Sequence, residues 1–259
     1  MTTLFLVVVL DLIGFGMIIP VFPFYAERVG IPAAAVILFV GLYSLGQLVG
    51  APIWGALSDK HGRRPILLAT LLANTAANLV LAFSHDPVSL AVSRVVSGLA
   101  AGNISAAYAY VTDITDDASR PKALGLLGAA FGIGFILGPA FGALLASGDT
   151  DGTAGLTRVS YGAAAFSLLG FFLTLFRLPE SHPPAARTTT RAPRTPLTTY
   201  LRRPLLRELM LSAVVVVASV AMMQSTLALW TADALRVTPA TLGWIYGFVG
   251  VVSTVVQAG

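Results

Sequence analysis

The sequence predicts an all-α, polytopic membrane protein, a bundle of about eight apolar helices joined by short polar loops. Three observations predict it. Hydrophobic residues make up 56% of the chain and charged residues only 11%, less than half the roughly 25% of an ordinary soluble domain. The mean hydropathy is +0.82, so the apolar excess is not a local effect. The apolar residues also gather into runs of roughly 20, the length of helix that crosses a bilayer.

Composition removes several chemistries. There is no cysteine, hence no disulfide framework, thiol nucleophile or Cys-ligated metal. His61, His85 and His182 are scattered without metal-binding spacing. No phosphate loop and no nucleophile with a base is present, so neither an enzyme nor a cofactor or metal site is expected. The net charge of +4 raises the question of nucleic acid, which the distribution of basic residues answers below.

The first span, near 4–25, lacks a basic leader and a cleavage site, so it reads as a retained helix and not a signal peptide. It carries Asp11, the only carboxylate well inside any apolar span. An ionised carboxylate is costly in the bilayer unless it meets a partner or water, so Asp11 should face a cavity. Two readings stay open: a proton- or cation-coupling group, or an acid held by Arg94 or backbone N–H groups that only fixes packing.

The second span, near 35–57, places Tyr43, Gln47, Gly50 and Trp54 on one face. Such a face suits a cavity wall for an amphiphilic substrate, and equally a helix contact. Gly55 to Leu68 then forms the densest patch of charge between two apolar runs, with Asp59, Lys60, Arg63 and Arg64. Gly55 and Gly62 allow close backbone approach and a turn of positive φ, and Pro65 is expected to start the next helix. The third span, near 66–84, holds Asn74 and Asn78, four apart and read as interhelical hydrogen-bonding glue.

The fourth span, near 88–110, sets Arg94, Gly98, Gly102 and Ala106 at successive fours on one face. Arg94 cannot shed its proton and must be paired or hydrated. It would bias a protonation site, contact an anionic substrate or form a structural ion pair. Placed on the outer side of centre, with Asp11 on the inner side, it reaches Asp11 only through tilt, unwinding or a water. Asp113 and Asp116 follow the span, and are read either as partners of Arg63 and Arg64 in a gating cluster or as solvated acids. The fifth span, near 123–147, carries Gly134, Gly138 and Gly142 at fours, with Pro139 inside. That pattern allows close helix contact and a bend. The sixth span lies near 158–177.

Residues 178–207 read as a linker, with six prolines, a Thr-rich run and a short amphipathic stretch from Tyr200 to Leu209. It divides the chain into a six-helix bundle over 1–177 and the start of a second bundle over 208–259. The latter holds spans near 209–232, with Gln224 after two methionines, and near 239–259. Lys and Arg number twelve in the loops 58–65, 111–122 and 177–207, against three on the opposite side. That bias places the N-terminus and the Gly55–Leu68 loop in the cytoplasm. It also makes the basic charge a topology signal spread over separate loops, so no nucleic-acid partner is expected.

Gly55, Leu57, Asp59, Lys60, Gly62, Arg63 and Arg64 match every defined position of Gly-x-Leu-x-Asp-Arg/Lys-x-Gly-Arg/Lys-Arg/Lys. This resembles the loop signature of the major facilitator superfamily. Asp11 to Pro23 is similar to the first-span signature of its drug/proton antiporters, Arg94 and Gly98 to its Arg-x-x-x-Gly motif, and Gly138-Pro139-x-x-Gly142 to its antiporter motif. Thr112 to Asp116 and Pro179-Glu180-Ser181-His182 resemble the tetracycline/proton antiporters. That group carries an acid where Ala77 stands and a histidine where Ser253 stands, so some other amphiphilic drug or metabolite is expected ahead of tetracycline itself.

The resemblance implies twelve spans and two six-helix bundles rocking about a midplane site. The chain would then lack the last four spans, including the helix on which the Gly55–Leu68 loop docks. It implies proton-coupled efflux with Asp11 and Arg94 as the coupling pair. Gly55, Asp59, Lys60, Gly62, Arg63, Arg64, Asp113 and Asp116 would form a gate, and Tyr43, Gln47, Trp54 and Gln224 a substrate cavity. The expected partners are a small amphiphile, protons and the lipid bilayer, in the inner membrane of a bacterium. A proton symporter importing a small metabolite, or a truncated half-protein needing a partner, are the rivals.

Overall fold

The structure is a computed structural model, and it describes residues 1–147, 153–182 and 202–258. These form ten α-helices, and no strand occurs among the described residues. In chain order they are α1 (Thr2–Ile18), α2 (Phe22–Arg28), α3 (Ala33–His61), α4 (Arg63–Ala82), α5 (Pro87–Ala100), α6 (Asn103–Ile114), α7 (Arg120–Ala146), α8 (Thr153–Arg177), α9 (Pro204–Leu235) and α10 (Pro239–Ala258). Among the described residues six segments are long and apolar enough to cross a membrane, two of them α1 with α2 and α5 with α6. At about 1.5 Å per residue, α9 and α10 also have the length of a crossing. They fall where the seventh and eighth spans are expected.

The first and fourth spans are each broken, which the hydropathy pattern does not announce. Pro20 removes a backbone donor and crowds the preceding turn, so α1 stops at Ile18; Pro23 is then accommodated in the first turn of α2. In the fourth span Ala101 and Gly102 form a turn between α5 and α6. A Cβ on Gly102 would lie 2.7 Å from the Trp54 Cβ, so the α3 tryptophan occupies the space a side chain would need at the break. Asp86 caps α5, accepting the N–H groups of Val88 at 2.9 Å and Ser89 at 3.0 Å.

The predicted loop over 58–65 is a single residue. α3 runs through His61, Gly62 turns with φ of +104°, and α4 begins at Arg63 and not at Pro65. Gly55 does not mark a close approach: a Cβ there would meet only Ser105 Oγ at 3.9 Å, an ordinary contact. The stretch predicted as a surface amphipathic segment ends inside a continuous helix, since α9 starts at Pro204; residues 183–201 lie outside the described residues.

α1 is the central helix, packed between α7 and α8, while α3 packs on α5 and α4 on α8. Its contact with α7 is backbone to backbone: a Cβ on Gly138 would lie 2.7 Å from Gly16 Cα, and one on Gly142 would lie 2.5 Å from the Met17 carbonyl. α7 is helical straight through Pro139, and its other side packs on α10, where Gly243 meets the Pro139 carbonyl. The outer faces carry exposed Leu38, Leu45, Leu48 and Ile53 on α3 and Phe172 and Phe176 on α8. Apolar side chains exposed on the outside and polar ones buried within are what a lipid solvent demands.

Candidate functional site

Two polar clusters stand out in this apolar frame. The first lies where α3 meets α4. Arg63 is buried and donates to Asp59 Oδ1 at 2.5 Å, to Asp113 Oδ2 at 2.9 Å and to Ser58 Oγ at 2.8 Å. The guanidinium thus ties α3, α4 and the end of α6 together by charge-assisted bonds. Its backbone N–H, one of the orphan donors at the α4 N-terminus, is accepted by Glu180 at 2.8 Å. A carboxylate there also complements the helix dipole. Ser181 donates to Asp113 at 3.1 Å, and Arg64 to the Leu175 carbonyl at 2.6 Å, so the residues at and beyond the end of α8 complete the cluster.

The pairing expected of Arg63 with Asp113 is present; that of Asp116 is not. Asp116 turns back on its own loop and accepts from the Ser119 hydroxyl and N–H. Those bonds hold its carboxyl below the usual carboxylate range. Asp117 pairs with Arg120, also locally. Lys60 is exposed.

The second cluster is a cavity of about 590 Å3 inside the bundle, of the size that holds a small molecule. Its apolar wall is aromatic: Phe15 stacks on Tyr43 with ring centroids 5.0 Å apart and meets Phe135 edge-on at 6.2 Å. Its polar wall includes Asp11, Gln47, Asn74, Asn78, Arg94, Ser97 and Asn103. Asp11 is buried and accepts from Asn103 Nδ2 at 2.5 Å and from Asn74 Nδ2 at 3.1 Å. Arg94 is equally buried, with its guanidinium carbon 4.9 Å from the centre of the Phe22 ring. Among the described residues no ion pair joins Arg94 to Asp11.

Tyr43 and Gln47 therefore line the cavity, as the second-span face suggested. Trp54 does not. Its indole N–H donates to the Leu99 carbonyl at 2.6 Å and its ring packs on Gly102, so it joins α3 to the break in the fourth span. Gln224 lies in α9, but its side chain is outside the described residues. Gly134, Gly138, Pro139 and Gly142 lie on α7 against α1 and α10, away from the polar wall. Sequence reasoning missed Asn103 and Glu180 as partners and read Asn74 only as glue. The available signal for Asn103 was an amide beside Gly102 inside an apolar run, next to the Arg94 motif.

With this geometry in view, the family profile described as Major Facilitator Superfamily matches residues 4–259, nearly the whole chain. The chain belongs to the major facilitator superfamily. This superfamily chain is 35% identical over 181 residues to the class C tetracycline resistance protein of Escherichia coli, covering 68% of this chain and 43% of that protein. It is 32% identical to multidrug resistance protein 1 of Bacillus subtilis over 174 residues, covering 66% and 43%. Among solved structures, the human organic anion transporter MFSD10 superposes with a TM-score of 0.69 at 24% identity, covering 96% of this chain and 68% of that one. That likeness speaks for the fold alone. The chain spans less than half the length of the curated relatives it matches. It is a multi-pass membrane protein of a transporter family.

Proposed function

We propose that this chain is part of a secondary transporter that exports an amphiphilic drug or metabolite against an inward flow of protons, by alternating access. The observation that carries the reading is the setting of Asp11. It is a buried carboxylate on a cavity wall, and its oxygens accept from the neutral amides of Asn103 and Asn74, with the Ser167 hydroxyl also within hydrogen-bonding reach. A carboxylate locked to a guanidinium would be held ionised, whereas amide donors leave it able to take up and release a proton. The aromatic wall of Phe15, Tyr43 and Phe135 suits the apolar body of an amphiphile, and the names of the matched relatives speak of tetracycline and multidrug resistance.

The packing of α7 between α1 and α10 supports a role for the Gly138–Pro139 segment where the two helix bundles meet. The Arg63–Asp59–Asp113 cluster is the gate in this reading, with Glu180 as a further member. The loop bias of Lys and Arg supports a cytoplasmic side for that cluster and for the N-terminus, in a bacterial inner membrane on this reading.

The test uses everted membrane vesicles made with the full chain and a panel of tetracyclines, macrolides, quinolones and organic cations. Addition of a transported compound should dissipate an inside-acid gradient, and Asp11→Asn should abolish that response at unchanged expression. Undiminished proton-coupled pumping by Asp11→Asn removes Asp11 from the mechanism and with it this reading.

A further inference from the structure

Among the described residues that line the cavity, Arg94 alone is basic and Asp11 alone acidic, and they do not pair. Asp11 is supplied with donors by Asn103, Asn74 and Ser167. Arg94 has two donors left without acceptors among the described residues. Only 6% of the residue is exposed, yet its Nε and Nη2 find no hydrogen-bond partner among the described residues. Phe22 attracts the charge through its ring face but accepts no conventional hydrogen bond from the fork. Ser97, three residues on and hence on the same face of α5, is also buried with its Oγ unpartnered. A desolvated guanidinium with idle donors is costly, and a ligand oxyanion would remove that cost.

We propose that Arg94 and Ser97 form a carboxylate subsite, so that the substrate is an aromatic amphiphile carrying a carboxylate. This rests on the transport reading above and names the substrate's chemistry. The planar fork of Arg94 suits the two oxygens of a carboxylate, the Ser97 hydroxyl adds a third donor, and Phe15, Tyr43 and Phe135 receive the aromatic body. Because Asp11 is held by its own amides, the subsite does not require Asp11 to release a partner.

The probes are 1-naphthoate and 1-naphthamide, alike in shape and differing in charge. They are measured by equilibrium dialysis against the full chain in detergent micelles, with empty micelles subtracted. Naphthoate should bind saturably and about tenfold or more tighter than naphthamide, the scale of charge-assisted hydrogen bonds. Arg94→Met should erase the difference, Arg94→Lys should keep part of it, and Ser97→Ala should weaken naphthoate a fewfold. Should Arg94→Met fail to fold, the unmodified chain still decides: naphthoate should protect Arg94 from phenylglyoxal, read by peptide mass, and naphthamide should not. Equal binding of the two probes, no saturable naphthoate binding, or absence of protection overturns the subsite. None of these measurements requires a transport cycle or proton movement, so their failure leaves export through Asp11 standing. A vesicle response absent from the unmutated chain, or undiminished in Asp11→Asn, with naphthoate selectivity intact would do the reverse.

Discussion

Replacing Gly138 by alanine tests the contact on which α1 and α7 depend. The new methyl would sit 2.7 Å from Gly16 Cα, 2.8 Å from the Gly16 carbonyl carbon and 2.9 Å from the Ile13 carbonyl oxygen. Carbon atoms rest at about 3.5–4.0 Å from one another, so the helices must separate by about 0.8 Å or more. All three obstructing atoms are backbone, and no rotamer change relieves them. Separation also loosens the contacts of Gly134 and Gly142, one turn away on either side against Leu12 and Met17. The cost is that of overpacking, about 1–3 kcal/mol. The control lies in the same helix: a Cβ on Gly128 meets nothing within 4 Å, so Gly128→Ala should be neutral or stabilise by up to about 1 kcal/mol through helix propensity. Thermal unfolding of the full chain in detergent, followed by circular dichroism, should show Gly138→Ala lowered by about 3–10 °C and Gly128→Ala unchanged or raised. If both alanines leave the midpoint alike, α1 and α7 do not meet backbone to backbone and the argument fails.

Three further outcomes follow from named contacts. Arg63→Met strips Asp113 and Ser58 of their buried donor and should cost about 3 kcal/mol or more. Asp59→Asn, at a side chain 47% exposed, should stay within about 1 kcal/mol, and equal effects in chemical unfolding would contradict this ranking. Trp54→Phe should lose the bond to Leu99 at about 1 kcal/mol and leave naphthoate dialysis unchanged; altered probe binding would place Trp54 in the cavity after all. At Asp86 the Ser89 hydroxyl and N–H hold the carboxyl below its usual range. Its capping contribution is therefore present above about pH 4 and lost as pH falls through the lowered value. The unfolding midpoint should fall less on acidification in Asp86→Asn than in the unmutated chain, and identical acid limbs would remove this cap from the account.

The first six spans and the α3–α4 junction were legible because each rests on a one-dimensional signal. An apolar run of about 20 residues admits few alternatives, and Gly62 needs a positive φ that its neighbours in the motif do not supply. Arg63 with Asp113 was legible for a similar reason, since a bilayer leaves few places for a guanidinium at a helix start. Asp116 was misjudged because proximity in sequence to Asp113 says nothing of which acid a helix end turns inward; Ser119 three residues on offered a local partner that distant arginines could not match. Trp54 was misjudged because helical periodicity assigns a face but not its neighbour, and the neighbour of this face changes from the cavity at Gln47 to Gly102 at Trp54. The breaks at Pro20 and at Ala101–Gly102 do not divide the apolar segments Thr2–Arg28 and Pro87–Ile114, each of which still counts as one span by length and composition.

Those breaks explain how Asp11 and Arg94 share a cavity without sharing a bond. Asp11 is on α1, before the break in the first span, and a principal donor to it is Asn103, the first residue of α6 after the break in the fourth. Arg94 is on α5, before the break in the fourth span, and its ring partner is Phe22, the first residue of α2 after the break in the first. Each charge is thus held by the residue that opens the helix beyond the other span's break. An unbroken helix would carry Phe22 and Asn103 along the axis of its own first half, fixed in register with Asp11 and Arg94 respectively. The interruptions instead let each half-helix take its own direction, so a change of angle at either break alters the partner of the opposite charge. With Asp11 the one acid and Arg94 the one base among the described residues of the cavity wall, that arrangement ties the state of both groups to the geometry of the two spans that hold them.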